Sequence, residues 1–114
     1  MRVLVLDDEA LIAIDTAELL ADLGHEVVGP FSELDSAMKE VEAEIPDFGL
    51  LDFNLGCGVT SAPLADRLAC ETVPFAFLTG YRRGDLPDRF CDVPLLSKPL
   101  QIFEVRQLVG SLAP

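Results

Sequence analysis

A chain of 114 residues, half of them hydrophobic, fits one compact domain over residues 1–114 with a real core and no room for a second. Acidic side chains outnumber basic ones 20 to 8, giving a formal charge of −12, and such a surface repels nucleic-acid phosphates. Cys57, Cys70 and Cys91 form an odd set without CxxC spacing, which argues against a disulfide frame or zinc site, and no apolar run approaches the ~20 residues of a membrane helix.

The amino terminus, MRVLVLDDEA, is too short in its apolar part for a signal peptide. A cytoplasmic protein is expected, with neither nucleic acid nor membrane among its partners. Residues 3–6 form the first apolar run, and a helix follows in which Ile12, Leu19, Leu20 and Leu23 share a side. Asp15, Glu18 and Asp22 line the opposite side, and Gly24 supplies a stop. The second run is Val27-Val28. Ser32 and Asp35 have the spacing of a capping box, opening a helix that buries Leu34, Met38, Val41 and Ile45 and turns Glu33, Glu40 and Glu44 to water.

A third run spans residues 48–51, a third helix residues 61–71, and a fourth run residues 75–78. Residues 81–92, YRRGDLPDRFCD, hold Gly84 and Pro87 and no sustained apolar stripe. A helix there is predicted to be short, frayed or absent, with little to bury and high mobility. A fifth run covers residues 93–96, and the last helix residues 100–112, with Ile102, Val105, Val109 and Leu112 inward. Strand and helix alternate throughout, and most runs lack a period of two. The fold class is α/β, a doubly wound five-stranded parallel sheet with helices on both faces.

Polar residues follow four of these runs. The first ends into Asp7-Asp8, the third into Asp52, the fourth into Thr79 and the fifth into Ser97-Lys98. In an open parallel sheet those ends share one edge, where ligands bind. Three carboxylates crowded together repel one another, and protonation or a cation relieves the repulsion. A hard, oxygen-only set suits Mg²⁺, which leaves coordination positions for a phosphate. Asp52 can attack phosphorus, while the Thr79 hydroxyl and the Lys98 ammonium can hold phosphoryl oxygens. Taken singly, each piece has a bland account: helix-dipole acids at Asp8-Glu9, a loop cap at Asp52, turn chemistry at Thr79-Gly80, and a strand stop with a helix N1 proline at Lys98-Pro99. Their order and shared edge argue for the set.

Four segments, VLVLDDE, LLDFNL, FLTG and LLSKP, resemble the receiver domain of two-component response regulators, and the resemblance covers essentially the whole chain. It implies the strand order 2-1-3-4-5. It also implies that Asp52 is the phosphoacceptor, that Asp8 binds Mg²⁺ directly, and that Asp7 acts through water or in support. The Asn54 carbonyl would complete the metal site, Thr79 and Lys98 would hold the phosphoryl group, and the Lys98–Pro99 peptide is often cis in such proteins. Two features depart from the pattern. Leu95 stands where receivers usually carry a switch Tyr or Phe, and Leu55-Gly56-Cys57-Gly58 replaces a Pro-Gly pattern. Residues 74–81, PFAFLTGY, resemble a subgroup of single-domain receivers marked by a Phe-Ala-Thr-Gly-Tyr sequence, with Leu78 in place of its Ala. Tyr81, two residues past Thr79 and the single tyrosine of the chain, is the expected switch residue, while Leu95 can repack but cannot make an aromatic's hydrogen bond.

The resemblance implies a phosphoacceptor switch that takes a phosphoryl group from a sensor histidine kinase or phosphotransfer protein. Its output would pass through contacts with a downstream protein, or the chain would serve as a phosphate shuttle or sink. It would catalyse only its own phosphorylation and dephosphorylation, as a monomer or weak dimer, and no effector is expected after the last helix. A small Mg²⁺-dependent phosphohydrolase of the aspartyl-phosphate type is the alternative. It calls for two Asp residues spaced by one, and Asp52-Phe53-Asn54 lacks the second. A nucleotide-binding reading finds no GxxxxGK[ST] loop, and retention of all five polar positions argues against a binding module with a decayed site. His25 reads as a surface turn residue, Phe75 and Phe77 as core, and Arg82, Arg83 and Arg89 as a solvated loop.

Overall fold

Val3, Leu4, Val5 and Leu6 are all 0–1 % exposed, which a strand achieves only when both its faces are covered. The computed structural model that shows this describes residues 1–78, 86–96 and 101–112, with side chains at all of these except 102 and 109–112. In chain order the elements are β1 (Arg2–Leu6), α1 (Ala10–Asp22), β2 (Glu26–Phe31), α2 (Leu34–Ala43), β3 (Phe48–Leu51), β4 (Asn54–Gly56), β5 (Val59–Thr60), α3 (Ala62–Cys70), β6 (Phe75–Leu78), a 3₁₀ turn (Asp88–Phe90), β7 (Leu95–Leu96) and α4 (Ile102–Leu112). Five strands form one parallel sheet in the order β2-β1-β3-β6-β7, the doubly wound arrangement expected from the sequence.

Alternate residues of the central strands feed two cores. Leu4, Leu6, Leu51, Phe75 and Phe77 pack with Ala37 and Val41 of α2 and with Leu64, Ala65 and Leu68 of α3. Val3, Val5, Leu50 and Ala76 pack on the other face with Leu20 of α1 and Val105 of α4. Gly49 lets α3 come close, because a Cβ there would stand 2.8 Å from Leu68 Cδ1.

Several local expectations are corrected. The inner stripe of α1 is Ala13, Thr16 and Leu20, while Ile12, Leu19 and Leu23 are half-buried. Small side chains at 13 and 16 bring the helix axis nearer the sheet than a stripe of large ones would. The capping box at Ser32 does not form. Glu33 is the extended N-cap of α2, so Ser32 stands one residue too early for its hydroxyl to serve the first turn. Ile45 falls beyond the end of α2 and is 40 % exposed. Residues 86–92 hold no α-helix, as predicted, yet they are not bare of anchors. Leu86 and Phe90, four apart, are 6 % and 2 % exposed, which contradicts the expectation of little to bury. Among the described residues, no helix is long and apolar enough to cross a membrane.

Candidate functional site

The carboxyl ends of β1 and β3 lie side by side, and each delivers an acid. The ladder runs one step past β3: Asp52 N–H donates to the Leu6 carbonyl at 2.8 Å. Asp7 N–H donates to the Phe31 carbonyl at 2.9 Å, and Asp7 Oδ1 accepts the Glu9 N–H at 2.9 Å. These bonds fix the turn from β1 into α1 and hold both acids at the sheet edge. Asp7 and Asp52 are 1 % and 4 % exposed, whereas Asp8 and Glu9 face solvent.

Carboxylate oxygens of Asp7, Asp8, Glu9 and Asp52 all lie within 4.8 Å of one another. Like charges at that range repel, strongly where two of them are buried, and a cation shared among them relieves the repulsion. The donor set is carboxylate oxygen throughout, without imidazole or thiolate, so it fits a hard divalent ion rather than a thiophilic one. Glu9 was not among the candidates read from the sequence. Its signal was the third acid of Asp7-Asp8-Glu9, which reads equally well as helix-dipole chemistry.

Asn54 is exposed at the start of β4, and its Oδ1 accepts the Gly56 N–H at 3.0 Å. That side-chain bond sits at the irregularity in β4, which leads into a β4–β5 hairpin absent from the sequence reading. Cys57 and Gly58, with φ of 53° and 76°, form its tip in the manner of a type I′ turn. The hairpin lies against the acids, since a Cβ on Gly56 would be 3.5 Å from Asp8 Oδ2. The hairpin closes through Ser61 N–H, which donates to the Phe53 carbonyl at 2.9 Å and starts α3.

β6 and β7 run parallel to β3 and end at Leu78 and Leu96. Thr79, Tyr81, Lys98 and the Lys98–Pro99 peptide, each singled out in the sequence, lie outside the described residues. Leu95 is half-buried in β7 and pairs with Phe77. The structure thus brings Asp7, Asp8 and Asp52 together with Glu9, with Asn54 in the adjoining hairpin.

A five-stranded doubly wound sheet thus carries an acid cluster at the carboxyl ends of its first and third strands. No family model matches the chain. It is 30% identical over 115 residues to the transcriptional regulatory protein PdtaR of Mycobacterium tuberculosis, covering 97% of this chain and 54% of that protein. The solution structure of SdrG from Sphingomonas melonis matches with a TM-score of 0.86 and 34% identity, covering 98% of this chain and 95% of that one. The response-regulator receiver (REC) domain of PhyR from Erythrobacter litoralis matches with a TM-score of 0.80 and 29% identity, over 96% of this chain and 87% of that one. The chain belongs to the response-regulator receiver domains. It spans about half the length of the curated relatives it matches.

Proposed function

We propose that residues 1–114 form a receiver domain that accepts a phosphoryl group on Asp52 and acts as a switch in a two-component pathway. The observation that carries this reading is the cluster itself, with Asp52 buried at the end of a central strand and two exposed acids beside it. Asp8 and Asp52 would hold Mg²⁺ with the Asn54 carbonyl, while Asp7 and Glu9 support them. Bound there, Mg²⁺ would neutralise charge on the incoming phosphoryl group.

In the transfer, an Asp52 oxygen forms the new bond to phosphorus as the phosphorus–nitrogen bond to a donor histidine breaks. The leaving imidazole takes up a proton. Thr79, next after β6, and Lys98, two residues past β7, are assigned to the phosphoryl oxygens by their order in sequence. The chain's own catalysis is confined to gaining and losing that group, so it is a regulator and not an enzyme acting on a separate substrate.

A sensor histidine kinase or phosphotransfer protein is the proposed donor. In support, α1 starts one residue past Glu9 and carries Leu11 and Ile14 at 80 % and 49 % exposure, one helical turn apart. Such knobs beside an acceptor suit a helical partner. The output is assigned to reversible protein contact or to a shuttle or sink role, in the cytoplasm, with the protein a monomer or weak dimer. The switch is assigned to Tyr81 by its place two residues past Thr79, with Gly80 between them to absorb the backbone change and Leu95 repacking. The test is to incubate the protein with a small phosphodonor and Mg²⁺ and follow its mass. A single added phosphoryl group per chain supports the switch. Sustained hydrolysis of a phosphate ester would favour the phosphohydrolase instead.

A further inference from the structure

Phe53, next in the chain to Asp52, begins a buried aromatic row. Its ring meets Phe77 edge-on, with centroids 5.4 Å apart and planes at 89°. Phe77 meets Phe90 at 5.2 Å and 73°, and Phe75 braces both. Close-packed rings have few alternative arrangements, so a shift in one is transmitted to the next.

Phe90 closes the 3₁₀ turn, and Arg89 beside it reaches outward to α3. Arg89 Nε and Nη2 donate to Asp66 Oδ1 and Oδ2 at 2.9 and 3.1 Å, a two-pronged clasp. The guanidinium carbon also lies 4.6 Å from the centre of the Phe90 ring. Both partners are about half exposed, at 54% and 49%, so the clasp adds little to global stability. Its geometry is strict, however, since two parallel hydrogen bonds fail together when the groups slide past each other. Low energy with strict geometry suits a releasable contact.

We propose that Asp66–Arg89 is a latch on the turn after β6, coupled to Asp52 through Phe53, Phe77 and Phe90, and that phosphorylation releases it; this rests on Asp52 being the acceptor. In the unphosphorylated chain the latch holds residues 86–92 to α3. A phosphoryl group on Asp52 displaces Phe53 and the end of β6, Phe90 follows Phe77, and Arg89 is freed from Asp66. The turn therefore has two arrangements, clasped and released, and the acceptor biases the balance between them.

The test uses the whole chain with beryllofluoride and Mg²⁺ as the phosphoryl mimic, followed through the backbone amides and the Arg89 side-chain Nε–H signal. In the native protein the mimic should shift amides 51–54 and move or broaden the Arg89 signal. The surface variants Asp66→Asn and Arg89→Gln should, without mimic, move amides 86–92 toward their mimic-bound positions. Both should bind the mimic about two- to five-fold more tightly, the range an exposed ion pair can supply. Phe90→Leu should bind the mimic while uncoupling Arg89 from it. If amides 51–54 shift and Arg89 does not, the latch is wrong and the acceptor assignment stands. If amides 51–54 do not respond either, the acceptor assignment fails and takes the latch with it. Unchanged mimic affinity in both surface variants would also overturn the latch.

Discussion

Thr72 occupies after α3 the place that Gly24 occupies after α1. At both helix ends a residue with positive φ, 89° at Gly24 and 57° at Thr72, follows the C-cap. At both, paired hydrogen bonds close the end, from Gly24 to Ala21 and His25 to Leu20, and from Thr72 to Ala69 and Val73 to Leu68. Glycine adopts that conformation freely, whereas a β-branched side chain is strained in it.

Thr72→Gly should therefore stabilise the protein by about 1 kcal/mol, the strain relieved less the extra freedom of the unfolded chain. The hydrogen bond lost, from Thr72 Oγ1 to the Glu71 carbonyl at 2.6 Å, is exposed and replaceable by water. Urea unfolding would detect the gain as a higher midpoint with an unchanged slope.

Mg²⁺ should raise the melting temperature of the native protein, because a cation that binds only the folded acid cluster stabilises it. At 100 times the dissociation constant the gain is about 2.7 kcal/mol. In Asp8→Ala the rise should shrink, and thermal unfolding with and without Mg²⁺ measures both.

Leu11→Glu separates docking from chemistry. It should slow phosphoryl transfer from a protein donor severalfold, by placing a charge where an apolar knob meets the partner. Labelling by a small phosphodonor should be unaffected, since Leu11 is 80 % exposed and carries no part of the core. Parallel rate measurements with the two donors make the comparison.

Much of this was legible from residues alone. The five strands of the parallel sheet were found because each carries a short apolar run, fully buried in β3 and β6 and nearly so in β1, and Asp7, Asp8 and Asp52 followed from the strand ends. The β4–β5 hairpin was not, since Leu55-Gly56-Cys57-Gly58 was read only as a departure from a pattern; its signal was a Cys-Gly pair able to take two positive φ angles before Val59. The anchoring of the turn at residues 86–92 was missed because its two buried residues, Leu86 and Phe90, make no periodic stripe. In α1 the large residues drew attention from Ala13 and Thr16, although small side chains are what close helix–sheet packing selects.

Partial burial, and then the Met1 ammonium 3.3 Å from Nδ1, lower the His25 pKa from its ordinary 6.5. In the window between the lowered folded value and 6.5 the unfolded chain binds the extra proton, so acid favours unfolding there. The contribution is absent above that window and complete below it. His25→Gln removes it, so melting temperatures from about pH 8 to about pH 5 should show the variant gaining on the native protein as pH falls.

Asp52 as the phosphoryl acceptor is open to a single decisive measurement, peptide mapping of protein labelled by a small phosphodonor with Mg²⁺. One hydroxylamine-sensitive label is expected on the peptide holding Asp52 and none in Asp52→Asn. Equal labelling of Asp52→Asn, or a label carried elsewhere in the native chain, would contradict it.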